Sequence, residues 1–141
     1  MPGRKPVLNR HNGPQAPKTE PQCPKHLDKV AKAKWLEAAG ILREMELLST
    51  ADATLLQLFA ETWSRYQAAL DFLQKNGNTF TAVRSGYEVQ RPEVAILNKS
   101  GDMILKLTGE LGLSPVARAR MGISKKKNEA VSKFAEFGIA V

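Results

Sequence analysis

Cysteine is almost missing from this sequence: Cys23 stands alone among 141 residues. No intrachain disulfide can form, so the fold must rest on packing and hydrogen bonding, and the composition fits a reducing compartment. Histidine is scarce too. His11 and His26 are the only two, and with one cysteine they make no recognisable zinc-ligand set. Long apolar runs are absent; none approaches the ~18–20 residues that span a bilayer. The N-terminus is basic but lacks the apolar core of a secretory signal. There is no GxxxxGK[ST] loop, hence no basis for direct ATP hydrolysis. Asp28, Asp52, Asp71 and Asp102 are scattered, and they read as helix caps and solvated surface rather than a carboxylate pair. The expectation is a protein without enzymatic activity, cofactor, metal or membrane segment, whose work is done by surfaces and assembly.

What is present is unevenly placed. Six of the eight prolines, Pro2, Pro6, Pro14, Pro17, Pro21 and Pro24, crowd the first 24 residues. Few large apolar side chains accompany them, too few to offset the entropy of ordering, so residues 1–26 are expected to be a disordered basic tail. The net charge of +7 divides into +4 on residues 1–26, −1 on 27–90, zero on 91–113 and +4 on 114–141. Basic ends on a near-neutral body suit a polyanion such as nucleic acid, although charge also serves solubility.

Periodicity predicts a mainly α-helical body over residues 27–123. A first helix runs from about Asp28, which can cap it, to Met45, with Val30, Ala31, Trp35, Leu36, Ala39, Leu42 and Met45 at helical spacing. Ser49-Thr50-Ala51-Asp52 has the shape of a capping box opening a second helix. Leu56, Phe59, Trp63, Tyr66, Leu70 and Leu73 then form a continuous stripe until Asn76-Gly77, over roughly 35–40 Å at 1.5 Å per residue. Thr79–Arg84 and Tyr87–Gln90 flank Ser85-Gly86 as a small β-hairpin, an element too weak to stand alone and suited to clip neighbouring subunits together. Pro92 opens a third helix, antiparallel to the second, with Ile96, Ser100, Met103, Ile104, Leu107 and Leu111 on one face. Gly112 follows its end where positive φ is needed, Leu113 can fold back on Leu107, and Ser114-Pro115 start a short fourth helix. A basic C-terminal helix is expected within residues 124–141, from about Lys125 to Phe137.

Two ordered blocks carry a family resemblance. One is Pro24-Lys25-His26-Leu27-Asp28 through Ala33-Lys34-Trp35, then Leu47-Leu48-Ser49-Thr50-Ala51-Asp52. The other is Arg91-Pro92-Glu93-Val94 through Leu111-Gly112-Leu113-Ser114-Pro115-Val116-Ala117-Arg118-Ala119-Arg120. Over roughly residues 22–123 the chain resembles the P27 family of phage terminase small subunits. The resemblance implies a ring-forming homo-oligomer in the host cytoplasm. It would bind double-stranded viral DNA at the packaging-initiation site and recruit the large ATPase–nuclease subunit, with an HNH endonuclease as a further partner in cos-type phages.

The basic residues singled out for DNA are Lys125, Lys126, Lys127, Arg118, Arg120, Arg4, Lys5 and Arg10. Arg118 and Arg120, two residues apart, project about 200° from one another on a helix, so they are expected to do different work: one at phosphate, the other in an ion pair with a glutamate of the second or third helix. Lys125–Lys127 at a helix start oppose the dipole unless an anion is near. The alternatives are a protein-interaction scaffold and a dimeric DNA-binding regulator. A helix-turn-helix could be built from the first two helices, although the second is long and its stripe apolar.

Overall fold

A computed structural model of the protein describes residues 19–122. The elements run α1 (Lys29–Glu44), α2 (Ala53–Asn76), β1 (Thr79–Thr81), β2 (Glu88–Gln90), α3 (Pro92–Glu110) and α4 (Pro115–Arg120), with one 3-10 turn (Thr50–Asp52) before α2. The fold is mainly helical with a small antiparallel sheet between α2 and α3, as the periodicity predicts. The expected helix within 124–141 and all of residues 1–18 lie outside the described residues.

Local signals set the helix ends. Asp28 caps α1, its carboxylate accepting from the Ala31 amide at 2.7 Å and from the Ser64 hydroxyl. These bonds, the Ala31 amide foremost, hold the Asp28 carboxyl below its ordinary range. At the far end of α1, the Leu47 amide donates to the Leu42 carbonyl at 2.8 Å and the Glu46 amide to Arg43 at 2.9 Å. This is the Schellman stop, and it places Glu46 at φ +56°. The second stop is built the same way around Gly112, at φ +74°: Leu113 donates to Thr108 at 3.0 Å and Gly112 to Gly109 at 3.4 Å. Leu113 packs against the core cluster that contains Leu107. Ser114 then caps α4 by accepting from Ala117 at 3.1 Å, with Pro115 at its first turn.

The start of α2 departs from the expected regular cap. Ser49 accepts from the Ala51 amide at 3.2 Å, one position short of the amide that a capping box uses, and the chain tightens into the 3-10 turn before α2 begins. Burial pushes the Asp52 carboxyl up, an effect that hydrogen bonding with the Ser49 backbone opposes.

The core lies where α1, the first half of α2 and the end of α3 meet: Leu27, Ala31, Trp35, Ala38, Ala39, Leu42, Leu56, Phe59, Ala60, Leu107 and Leu111. Three alanines of α1 (Ala31, Ala38 and Ala39) let the helices approach closely. The described end of the Pro-rich segment is tied to this core. Cys23 packs on it, Thr50 donates its amide to the Thr19 carbonyl at 2.8 Å, and Arg43 grips Glu20 through Nε and Nη2 at 2.8 and 3.0 Å. That guanidinium holds the Glu20 carboxyl below its ordinary range.

α2 outruns α1, and beyond the core its partner is α3. Phe72 is near Arg91, Tyr66 near Gly101, and Trp63 shares a groove with Ile104, so residue numbers rise along one helix as they fall along the other. The pair is antiparallel, as expected. Over this stretch only a few side chains are fully covered, among them Ala69, Leu73 and Ser100.

Candidate assembly and nucleic-acid surfaces

The apolar stripe of α2 is spent unevenly. Leu56, Phe59 and Leu73 are buried, whereas Trp63, Tyr66 and Leu70 are half-buried. Trp63 and Tyr66 stack with ring centroids 5.9 Å apart, and Lys34 Nζ stands 4.3 Å over the Trp63 ring while pairing with Glu37 at 3.0 Å. The two aromatics form one wall of a groove of about 710 Å³ whose other wall is Leu97, Ile104 and Leu105 of α3, with Asp102 also lining it. The expected core face of α3 is therefore corrected. Ser100, Leu107 and Leu111 are buried and Ile104 partly so, but Ile96 and Met103 remain 40% exposed. Among the described residues, no third helix covers this side of the pair.

The hairpin is shorter than the sequence predicts. Its strands hold three residues each, in the register Thr79↔Gln90, Phe80↔Val89 and Thr81↔Glu88. A four-residue loop replaces the tight Ser85-Gly86 turn: Ala82 donates to Tyr87 at 2.9 Å, and Gly86, at φ +69°, donates to Ala82 at 2.8 Å. The pleat places Phe80 and Val89 side by side on one face. At the root the Arg91 guanidinium lies 5.5 Å from the Phe80 ring centroid and 5.7 Å from that of Phe72, linking β1 to α2 by cation–π contact. Beyond that root the strands pair with each other rather than with a helix. Val83 is fully exposed and Tyr87 75% exposed.

Arg118 and Arg120 separate as the helical geometry requires, but Arg118 takes a different partner from the one expected. Its Nη1 donates to the Leu113 carbonyl at 2.7 Å, bracing the corner between α3 and α4. It also lines a concavity of about 330 Å³ with Trp63, Ile104 and Thr108. Arg120 is exposed, and among the described residues neither arginine forms an ion pair. Arg4, Lys5, Arg10, Lys125, Lys126 and Lys127 lie outside the described residues. Regional charge sums hide a further basic feature: Lys29 and Lys32 are exposed one turn apart on α1, with Lys25 exposed just before it. Their spacing of four and three is visible in the sequence once α1 is placed.

Among the described residues, no helix is long and apolar enough to cross a membrane, and no cluster of three or more histidine, cysteine or acidic side chains could hold a metal ion. No curated protein and no solved structure matches the chain. Residues 31–128, well over half of the sequence, match a family model described as phage terminase, small subunit. The match begins within α1 and passes through α2, the hairpin, α3 and α4. This protein belongs to the phage terminase small-subunit family.

Proposed function

We propose that the protein is a non-enzymatic adaptor of viral genome packaging, of the P27 type. It forms a ring in the host cytoplasm, binds double-stranded DNA at the packaging-initiation site, and recruits the large ATPase–nuclease subunit. In cos-type packaging an HNH endonuclease joins them. The observation that carries this reading is the family match across the whole helix–hairpin–helix body. The charge distribution supports the DNA role, with +4 at each end of a near-neutral chain. Each subunit contributes weak phosphate contacts, and the ring multiplies them by raising their effective concentration. Arg120 and the terminal basic residues are the candidates for those contacts, since Arg118 is engaged with a carbonyl.

Binding of the full chain to duplex DNA, followed by fluorescence anisotropy, tests the reading. With six phosphate contacts, raising salt from about 50 to about 200 mM weakens affinity by roughly three orders of magnitude. An affinity that ignores salt, or no binding at all, overturns the DNA role and favours a protein scaffold. Deleting residues 1–18 and 124–141, which spares the core contacts of Thr19, Glu20 and Cys23, then places the contacts: lost binding assigns them to the ends, and retained binding assigns them to the body, with Lys29 and Lys32 foremost.

A further inference from the structure

We infer that the hairpin tip of one subunit seats in the groove between α2 and α3 of the next, so that the ring is closed by a head-to-tail contact of these two surfaces. The inference rests on the reading of this chain as a ring-forming subunit and names the surfaces that form the ring.

Four observations lead to a second copy as the occupant. The first is the hairpin's own instability. A two-stranded sheet is marginal in water, and this one is anchored by Arg91 at its root while every strand residue remains exposed. Its strands rise about 10 Å, at about 3.3 Å per residue over three residues, and the loop beyond them displays Val83 and Tyr87. The second is the groove, which is apolar, aromatic and open. Leu105 on its wall is 74% exposed, and the Trp63–Tyr66 stack offers a face suited to an aliphatic or aromatic side chain.

The third observation is charge. Arg84 sits in the hairpin loop and Asp102 lines the groove, and neither has a hydrogen-bonding or ion-pair partner among the described residues. The pair supplies register to an otherwise apolar contact. The fourth is topology. The convex and concave surfaces lie on different residues of one chain, so the tip of one subunit can meet the groove of the next. A heterologous contact of this kind closes into a ring when its rotation permits.

Charge exchange in the full-length protein, read by native mass spectrometry, tests this. Arg84→Asp and Asp102→Arg are each expected to shift the protein from the ring mass to monomer, and the two together to restore the ring. Because both positions are exposed, helical circular dichroism stays at the wild-type level. Val83→Cys combined with Leu105→Cys, in a Cys23→Ser background, gives under oxidation a ladder of covalent multimers on a non-reducing gel; a ladder ending at dimer indicates an isologous pair and overturns the ring contact. Single variants that keep the wild-type oligomer mass overturn the inference while leaving the proposed function standing. A wild-type protein that is monomeric at working concentration overturns both.

Discussion

Arg118 Nη1 and the Leu113 carbonyl oxygen lie 2.7 Å apart across the corner between α3 and α4. A guanidinium committed to a backbone acceptor five residues earlier stabilises a turn rather than waiting for phosphate. Charge alone makes Arg118 and Arg120 equivalent, and this bond separates them. Arg118→Ala is expected to lower unfolding free energy by about 1.5–3 kcal/mol, the range for a hydrogen bond to a charged group, with DNA affinity unchanged at fixed salt. Arg120→Ala is expected to do the reverse, leaving stability within about 0.5 kcal/mol and reducing the salt slope of DNA binding by about one. Urea unfolding and anisotropy titrations on both variants check the division.

Glu46 is the one non-glycine residue with positive φ among the described residues, at +56°. Its Cβ pays the steric cost of the left-handed conformation, about 1–2 kcal/mol. Glu46→Gly is therefore expected to stabilise the protein by about 1 kcal/mol, less whatever the glycine adds to unfolded-chain entropy. A higher urea midpoint with an unchanged slope is the expected result.

Gly112 occupies the equivalent stop after α3, and there the sequence already carries the fitting residue. A Cβ at this position would lie 2.9 Å from Met121 Sδ, on top of the φ penalty at +74°. The sulfur belongs to a flexible side chain and can yield, so backbone strain dominates. Gly112→Ala is expected to destabilise by about 1–2 kcal/mol, and Gly112→Ala with Met121→Ala is expected to recover none of the φ component. Thermal and urea denaturation of the pair separates the two contributions.

Two helix-start aspartates are expected to titrate in opposite senses. The Asp28 carboxyl is held low by the Ala31 amide and Ser64. Its stabilisation is complete above the ordinary carboxylate range and is lost as pH falls through the lowered folded value. The Asp52 carboxyl is held high by burial. It favours the folded state while protonated, and that advantage disappears as pH rises from the unfolded value through the raised folded one. Asp28→Asn is expected to flatten the acid-side loss of stability; Asp52→Asn is expected to steepen the rise of stability with pH over the same interval. Urea midpoints between about pH 2 and pH 6 (bracketing the unperturbed carboxylate values) report both.

The sequence by itself determined the punctuation of this fold. Asp28, Ser114, Pro92, Pro115, Gly77, Gly86 and Gly112 each act within a few residues through φ preference, a missing N–H or a short side-chain acceptor, and such effects can be read without knowing what lies across the molecule. Ser49 was legible as a cap but not in its detail, because the 3-10 turn after it trades one hydrogen-bond position for another. The stop at Glu46 was invisible, since nothing local marks a glutamate for the left-handed region. Tertiary structure alone decided how the apolar stripes are used. Leu56 and Trp63 belong to the same stripe, yet α1 and the end of α3 cover the first, while the second meets α1 through Lys34 and is left half-buried, lining a groove. It also decided the roles of two arginines that composition cannot tell apart. Burial and partnership depend on which surfaces meet, and that is a property of the packed helices rather than of any one segment.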